Sequence, residues 1–253
     1  MSLSPTQIPQ FEQDGFLICR GLAAPDTCDQ LLAITRRHVA DAIEPLEYEA
    51  VLGYPGAPAS LDAPGGRTIR RLRGAWQRDA AFRTWAQDPR IVDWLRQRFM
   101  EPVALTLAHH NSVMTKHPNY GTATGWHRDI RYWSYTNSDL VSVWLALGDE
   151  TASNGALRVI PGSHRLDIDR SRMDDLDFLR PDVPENQALF EKGVTVELAK
   201  GDVLLFHSKL FHAAGRNAND EVKCSLVFAY HATSNAALPG SRSAAAGSVA
   251  LGE

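Results

Sequence analysis

The positions of apolar residues divide the chain into a helical first part and a strand-rich second part. In the stretch that Pro25 opens, apolar side chains recur at roughly helical spacing, at Leu31, Leu32, Ile34, Val39 and Ile43. Asp88-Pro89 is a favourable cap and first-turn pair for a second helix. From residue 102 the apolar segments are short, alternating or β-branched, with turn residues between them, and strands are predicted at 103–107, 141–147, 156–160, 194–198, 203–206 and 224–230. This pattern predicts a mainly β protein with flanking helices, as a sandwich or barrel.

The same pattern gives the expected organisation of the chain. We predict a single domain over residues 1–232, helix-rich in 1–100 and with a β core at about 102–232, followed by a flexible C-terminal tail at 233–253. Residues 50–67 form a long loop rich in Gly, Pro and Ala, of the kind that is usually a functional lid or disordered. A short strand is predicted after it, and its four arginines either face an anionic substrate or lie on a solvated edge: Arg67, Arg70, Arg71 and Arg73.

Composition and charge narrow the classes of function. The formal net charge of -4 argues against a general nucleic-acid binder, which normally has a strong basic excess. No apolar run approaches the roughly 20 residues that span a bilayer, and the polar N-terminus does not resemble a signal peptide. We therefore expect a cytoplasmic protein that acts on a small molecule, without nucleic acid or membrane as a partner. The sequence does not predict the oligomeric state.

The first candidate for chemistry is the segment Trp126-His127-Arg128-Asp129. Residues i and i+2 of a strand point the same way, so His127 and Asp129 would present an imidazole and a carboxylate to one point. In a chain with nine histidines such a pair also arises by chance, and the alternative is an ordinary pair on a surface strand.

A second segment, Gly201 to Asn217, supplies a third donor. It predicts a turn and a strand, followed by two histidines, His207 and His212. His212 is the preferred third ligand and His207 is the rival, expected to be structural. Two histidines and one carboxylate leave coordination positions open, as iron(II) oxygenases require for a cosubstrate and oxygen. The same donors also bind zinc, so a zinc-dependent enzyme is an alternative.

Four segments together resemble the phytanoyl-CoA dioxygenase family of 2-oxoglutarate oxygenases over nearly the whole chain. They are Phe11 to Leu22, the WHRD motif at 126–129, Val143 to His164 with NGALRVIPGSH, and Gly201 to Asn217. The resemblance implies a double-stranded β-helix (a jelly-roll, cupin-like core) and a dioxygenase that uses Fe(II), 2-oxoglutarate and O2. It implies that His127, Asp129 and His212 are the catalytic metal ligands and that Trp144 lies near the cosubstrate. Because Asp129 is present, hydroxylation is expected in preference to halogenation.

One position departs from the family pattern. An arginine about eleven residues after the distal histidine normally pairs with the far carboxylate of 2-oxoglutarate, and here that position is Lys223. Lysine offers a point charge, whereas arginine offers a planar fork, so the exchange is not neutral. Arg216 is the other candidate anchor, and Lys223 is preferred because its place on the following strand matches the motif. A family member that binds ligands without turnover is therefore a further alternative.

Residues close to the predicted metal strand are candidates for substrate contact. Arg131 shares the parity of His127 and Asp129 and would meet an anionic substrate if the strand continues regularly, whereas Arg128 would point away. Tyr132, Trp133 and Tyr135 either shape the substrate pocket or belong to the core. One of His109 and His110 is expected to touch the cosubstrate. The sequence does not identify the substrate.

Overall fold

The structure is a computed structural model that describes residues 3–252. Within those residues there are seven α-helices: α1 Ile8–Asp14, α2 Pro25–Ala40, α3 Ala75–Arg78, α4 Ala80–Ala86, α5 Pro89–Phe99, α6 Pro184–Phe190 and α7 Arg242–Ala246. The same residues contain twelve strands: β1 Phe16–Cys19, β2 Leu46–Tyr48, β3 Ile69–Arg73, β4 Val103–Lys116, β5 Thr124–His127, β6 Leu140–Ala146, β7 Leu157–Val159, β8 Val194–Thr195, β9 Val203–His207, β10 His212–Ala214, β11 Lys223–Ala232 and β12 Ser248–Leu251. None of the helices in this range is long and apolar enough to cross a membrane.

The helices of the first hundred residues pack on the outside of a large sheet. In α5 the Asp88 side chain accepts a hydrogen bond from the Arg90 backbone N–H at 3.0 Å, so the cap predicted from the sequence is present. Ile91, Trp94 and Leu95 on the inner face of α5 are buried. They share one apolar cluster with residues of α1, α2 and α4 and with alternate residues of the sheet. Burial of these apolar faces fixes the sheet in place.

Two antiparallel sheets form the core of the double-stranded β-helix. The larger sheet has the strand order β1-β9-β6-β11-β4-β3-β2, with β12 also paired to β4, and the smaller sheet has the order β5-β10-β7-β8. Their inner faces share a second apolar cluster, in which Trp144 and Val227 of the larger sheet pack with Leu157 and Val159 of the smaller one. The predicted fold class is confirmed, and the site described below opens between these two sheets.

Strand β4 differs from its predicted extent in a way that shapes this site. It runs from Val103 to Lys116, well beyond the predicted 103–107. In its pairing with β11, Phe228 lies opposite Asn111, whereas the next residue, Ala229, lies opposite Thr106. The four residues between, 107–110, have no partner on β11 and bulge out of the ladder. His109 in this bulge has a positive φ of 55°. The bulge carries His109 and His110 into the space between the sheets.

The C-terminal segment also differs from its expected flexibility. Strand β12 pairs with β4 in regular register, from Ser248 opposite Thr106 to Leu251 opposite Val103. The Ser243 side chain accepts a hydrogen bond from the Ser134 backbone N–H at 3.0 Å, and Leu251 is buried. The small and polar composition concealed this order because β12 relies mainly on backbone hydrogen bonds to an existing sheet edge.

Candidate active site

The structure brings the three predicted metal donors together. His127 ends β5, Asp129 begins the short 3-10 helix that follows, and His212 begins β10 directly opposite His127 in the smaller sheet. The donor atoms of the three side chains lie within 4.8 Å of one another, and all three residues are buried. Both histidine Nε2 atoms are 3.4 Å from the same carboxylate oxygen, Oδ1 of Asp129.

Backbone carbonyl groups fix the orientation of both imidazoles. Nδ1 of His127 lies 2.9 Å from the Gly125 carbonyl oxygen, and Nδ1 of His212 lies 3.1 Å from that of Leu210. A carbonyl oxygen only accepts, so each Nδ1 carries the proton and donates it. The Nε2 lone pairs are therefore left free and directed at the cluster, which is the tautomer that a metal needs.

The electrostatics of the cluster suit a cation. Both oxygens of Asp129 are buried and accept no hydrogen bond from any residue in the described range. Burial by itself raises the pKa of this carboxyl, but the neighbouring His110 and His212 hold its pKa well below the usual range. Burial lowers the pKa of His127 to about 4, so this imidazole is neutral at ordinary pH. Burial lowers the pKa of His212, but the Asp129 carboxylate outweighs that effect and raises this pKa. A buried, ionised carboxylate that favours positive charge on its neighbours, beside two imidazole Nε2 atoms, fits a divalent metal.

His110 stands on the other side of the carboxylate. Its Nδ1 lies 3.5 Å from Oδ2 of Asp129 and 2.9 Å from the Ser142 hydroxyl. Burial lowers the pKa of His110 to about 4. His109, His110 and Asp129 also offer donor atoms within 4.8 Å of one another. Both histidines line the pocket. The His109 imidazole stacks on the Tyr132 ring, with ring centroids 3.5 Å apart, and this contact holds the His109 side chain in place.

A second buried group of charges lies around Lys223, on the strand β11 of the larger sheet. Lys223 Nζ is 3.0 Å from Oε2 of Glu150, and both side chains are almost fully buried. The other Glu150 oxygen, Oε1, accepts from Trp144 Nε1 at 2.9 Å and from the Ser225 hydroxyl at 2.5 Å. Trp144 and Lys223 both line the pocket, with the ammonium 5.3 Å from the tryptophan ring centroid. We call the four residues Trp144, Glu150, Lys223 and Ser225 the Glu150 network.

The two candidate anchors for a cosubstrate occupy different places. Lys223 is 8% exposed and lines the pocket. Arg216 is exposed, and its guanidinium packs against Gly56 so closely that a Cβ there would lie 2.0 Å from Nη2. Because Arg216 lies against the 50–67 loop and only Lys223 of the two lines the pocket, the geometry favours Lys223 as the anchor of a cosubstrate carboxylate.

The predicted substrate contact of Arg131 required strand β5 to continue past Asp129, but β5 ends at His127. The backbone turns into a 3-10 helix at Asp129–Tyr132, so strand parity no longer applies. The Arg131 guanidinium donates to the Leu176 carbonyl oxygen and to the hydroxyls of Tyr54 and Tyr132, and lies 4.3 Å from the Phe178 ring centroid. It joins three segments around the pocket instead of lining it. Arg128 points away, as predicted, and donates to the Ser163 and Leu166 carbonyl oxygens.

The aromatic candidates divide between the pocket and the core. Tyr132 lines the pocket. Trp133 is buried, and its indole N–H donates to the Ala108 carbonyl oxygen at 3.0 Å. The Tyr135 hydroxyl donates to Thr106 at 2.8 Å. Trp133 and Tyr135 belong with Ala108 and Leu140 to a separate apolar cluster, so they support the site from behind.

His207 lies apart from the metal donors. Its Nε2 is 3.5 Å from the Asp139 carboxylate, and its ring contacts His164 with centroids 5.3 Å apart. Its Nδ1 accepts a hydrogen bond from the Lys209 backbone N–H at 3.0 Å. The structural role predicted for this histidine agrees with that placement.

Two of the four arginines in and near β3 reach the pocket. Arg70 donates to Glu49 at 3.2 Å and to Thr122 at 2.8 Å, while Arg71 donates to His109 Nδ1 at 3.1 Å. Both line the pocket, whereas Arg67 and Arg73 are exposed. Tyr54 of the 50–67 loop lies beneath Arg70, with the guanidinium carbon 5.0 Å from its ring centroid, and also lines the pocket.

Two pocket residues, Lys116 and Tyr54, and the partner of Lys223, Glu150, were not predicted from the sequence. Lys116 ends β4, and Glu150 follows β6, where its backbone forms a β-bridge with Leu198. Both positions look like solvated strand ends in the sequence. Tyr54 sits in a loop with no periodic pattern. A weak signal existed for Lys116, because it shares strand parity with Ser112 and Met114 on the inward face of β4.

Comparisons with known proteins agree with this geometry. A model of the phytanoyl-CoA dioxygenase (PhyH) family matches residues 11–224. The chain is 25% identical over 230 residues to the peroxisomal phytanoyl-CoA dioxygenase of Rattus norvegicus, covering 85% of this chain but 64% of the rat protein. The chain therefore spans less than two thirds of the length of that relative. It is 24% identical over 255 residues to the ectoine dioxygenase of Bordetella bronchiseptica, covering 94% of this chain and 78% of that one.

A solved structure extends the comparison to the fold. EctD from S. alaskensis, in complex with 2-oxoglutarate and 5-hydroxyectoine, superposes with a TM-score of 0.71. The match covers 93% of this chain and 78% of the other, at 23% sequence identity. At that identity the likeness establishes a shared fold, which agrees with the two-sheet core described above.

Proposed function

Because this chain belongs to the phytanoyl-CoA dioxygenase family, we propose that it is a non-haem Fe(II)/2-oxoglutarate-dependent dioxygenase that hydroxylates an aliphatic C–H bond of a small molecule. The observation that carries the proposal is the buried Asp129 carboxylate, whose oxygens accept no hydrogen bond from residues 3–252 and lie beside two imidazole Nε2 atoms. Such a carboxylate would be costly to bury without a cation. In this proposal His127, Asp129 and His212 hold the iron.

When bound, iron(II) and 2-oxoglutarate supply the oxidation of the substrate C–H bond by O2, with succinate and CO2 as products. The residues of the chain contribute in other ways. In the neutral imidazoles, the carbonyl groups of Gly125 and Leu210 hold the proton on Nδ1, so that Nε2 of His127 and of His212 is the atom that faces Asp129. His110 lies near the free side of Asp129 and limits its rotation.

The remaining pocket walls position ligands and exclude water. Met114, Leu157 and Ala214 present apolar surface from both sheets, and burial there favours a ligand over solvent. Trp144 and Lys223 in the pocket wall support the proposal that the cosubstrate binds beside them. Tyr54 and Tyr132 at the loop side support a substrate position there. The relatives named above act on phytanoyl-CoA and ectoine, so the substrate class differs among them. A cytoplasmic location stays a prediction.

The test is an anaerobic titration of metal-free protein with iron(II) and then 2-oxoglutarate, following the visible charge-transfer band of the chelate. We expect the band in the unchanged protein and none in His127→Ala. Succinate formation under air then separates an enzyme from a ligand-binding relative. A protein that binds iron but never gives the band would contradict the proposed function and leave the zinc and binding alternatives.

A further inference from the structure

The wall of the pocket contains more positive charge than Lys223 alone. In the antiparallel pairing of β4 with β11, Lys116 lies directly opposite Lys223. Side chains paired across neighbouring strands share a face, so both lysines project into the pocket, and both line it. The two lysines differ in the charge that they have available for an anionic ligand.

The charge of Lys223 is already balanced. Its Nζ lies 3.0 Å from the Glu150 carboxylate and 3.4 Å from the Ser225 hydroxyl. The second oxygen of Glu150 is held by Trp144 and Ser225, so the carboxylate cannot turn away. A buried ammonium paired with a fixed carboxylate forms a neutral unit. It can donate a hydrogen bond to an incoming carboxylate but adds no net positive charge.

Lys116 has a different set of partners. Its Nζ donates to the Gly215 carbonyl oxygen at 2.6 Å and to the Thr122 carbonyl oxygen at 3.3 Å. Both partners are neutral, and in the described part of the chain no carboxylate forms an ion pair with it. Gly155, with φ of 79°, leaves room for its chain, since a Cβ there would lie 2.7 Å from Lys116 Cδ. When it is protonated, this lysine therefore has a positive charge at the pocket wall that no carboxylate of the described residues pairs with.

The charges around the pocket indicate which group of 2-oxoglutarate would bind beside the two lysines. 2-Oxoglutarate has two carboxylates, and under the proposed function one of them, with the keto group, belongs at the metal end. The metal charge balances Asp129 and that first carboxylate. The second carboxylate must be balanced in a buried environment, where an unpaired charge is strongly unfavourable. Lys223 is already neutralised, so the balance must come from elsewhere.

We propose that Lys116 and Lys223 together receive the distal carboxylate of 2-oxoglutarate, with Lys116 supplying the positive charge that Glu150 cancels on Lys223. This inference rests on the proposed function and deepens it. It also explains how a lysine can stand at position 223. Two ammonium groups, one from each of two neighbouring strands, would take the place of the planar guanidinium of the arginine that the family normally has there. It also makes Glu150 a residue that tunes cosubstrate affinity through Lys223.

The experiment compares two 2-oxo acids of the same chain length. 2-Oxopentanoate has the keto acid of 2-oxoglutarate and lacks its distal carboxylate. Anaerobic iron-loaded protein is titrated with each compound, and dissociation constants are taken from the chelate absorbance and from calorimetry. The proteins are the unchanged chain, Lys116→Met, Lys116→Arg and the double variant Lys116→Met with Glu150→Gln.

The expected results follow from the charge count. Lys116→Met should weaken 2-oxoglutarate binding by about tenfold or more, because charge-assisted hydrogen bonds contribute roughly that factor. Binding of 2-oxopentanoate should stay within about twofold. Lys116→Arg should retain most of the affinity. In the double variant Lys223 is no longer paired with a carboxylate, so affinity for 2-oxoglutarate should recover.

Three outcomes would overturn the inference. Unchanged 2-oxoglutarate affinity in Lys116→Met would assign the carboxylate to Lys223 alone. Equal weakening for both compounds would assign Lys116 a purely structural role at Gly215 and Thr122. Failure of Glu150→Gln to restore the affinity would remove the charge argument. Failure of the proposed function is a separate result, since the unchanged protein would then give no band with 2-oxoglutarate.

Discussion

Asp129, which lines the pocket, and Glu150, which pairs with the pocket residue Lys223, are both buried carboxylates, 1% and 0% exposed, yet their surroundings are opposite. Neither oxygen of Asp129 accepts a hydrogen bond from the described residues, whereas the oxygens of Glu150 accept from Trp144, Ser225 and Lys223. Burial is therefore not what distinguishes the two. The difference lies in their hydrogen-bond donors. A buried, ionised carboxylate without donors from the chain favours a cation from outside it, whereas Glu150, with donors at both oxygens, holds neighbouring side chains in place.

The difference extends to the elements that carry each carboxylate. The metal end is formed by the short strands β5 and β10 of the smaller sheet and by the 3-10 helix after β5. Trp144, Lys223 and Ser225 of the Glu150 network lie on β6 and β11, in the middle of the larger sheet, and Glu150 lies in the segment after β6, where it forms a β-bridge with Leu198. A site on short strands can take up a metal with small adjustments. A charge network on two central strands is held by the ladder hydrogen bonds around it.

The largest expected effect distinguishes the two histidines of the Gly201–Asn217 segment. His212→Ala removes one of the three converging donors and should abolish detectable iron binding, because two remaining ligands do not hold the metal against water. His207→Ala, five residues earlier, removes a contact to Asp139 and should leave iron binding intact. Equilibrium dialysis of both variants with iron(II) checks this. Loss of iron in His207→Ala alone would reverse the assignment.

A second prediction concerns the stability of the Glu150 network. Lys223→Met leaves Glu150 buried without its cation and should lower the free energy of unfolding by about 3 kcal/mol, measured by urea denaturation of metal-free protein. Adding Glu150→Gln should restore most of the stability, because a neutral isosteric pair leaves no uncompensated charge. Should the double variant be as unstable as the single one, packing of the lysine stem would be responsible, and the ion pair would not.

The sequence predicted that His127, Asp129 and His212 converge, and it did not predict the Glu150 network. His127, Asp129 and His212 belong to types and spacings that are rare outside metal sites once combined, and strand geometry explains why the first two meet. The fold class followed from many short strands with turn residues. The prediction for Arg131 differs from the structure because it assumed that β5 continues, whereas the chain turns into a 3-10 helix.

The Glu150 network depended on information that the sequence does not contain. Lys116 and Lys223 meet through the register of two strands more than a hundred residues apart along the chain, which follows from packing of the whole sheet. Glu150 follows the end of a predicted strand, where a charged residue normally indicates solvent exposure, but its backbone pairs with Leu198 and its side chain is buried. The order of β12 was missed for a similar reason, since its pairing with β4 depends on a free sheet edge.

A smaller effect is expected in the pH dependence of 2-oxoglutarate binding. Burial, then the nearby Lys223 and Arg70, lower the pKa of Lys116 to about 7, although Glu49 and Glu150 act to raise this pKa. Lys116 is therefore charged below about pH 7 and loses its proton above it. An anion bound beside it raises the pKa again, so binding is coupled to proton uptake. The affinity should fall as the pH rises from about 6 to about 8.5, by no more in total than the roughly tenfold loss expected for Lys116→Met.

The control for this pH dependence is Lys116→Met. All other titrating groups are shared with the unchanged protein, so the difference between the two profiles belongs to Lys116. The unchanged protein should show the decline, and the variant should be flatter. Parallel profiles would show that another group controls the dependence.

The smallest expected effect tests whether the 50–67 loop belongs to the pocket. Tyr54 accepts a hydrogen bond from Arg131 at 3.1 Å, and its ring packs edge-on against Phe178 with centroids 5.4 Å apart. Tyr54→Ala should free the loop and speed hydrogen exchange within residues 50–67 by several-fold, because local opening then breaks fewer contacts. Val51→Ala, at a residue 62% exposed in the same loop, is the matched control and should change little. Iron binding should stay unchanged in both variants, since neither residue contacts the metal donors. If the amides of residues 50–67 exchange at the same rate in both variants, the Tyr54 side chain does not hold the loop in place. The end of the pocket nearest Arg131 would then be open to solvent whether or not Tyr54 is present.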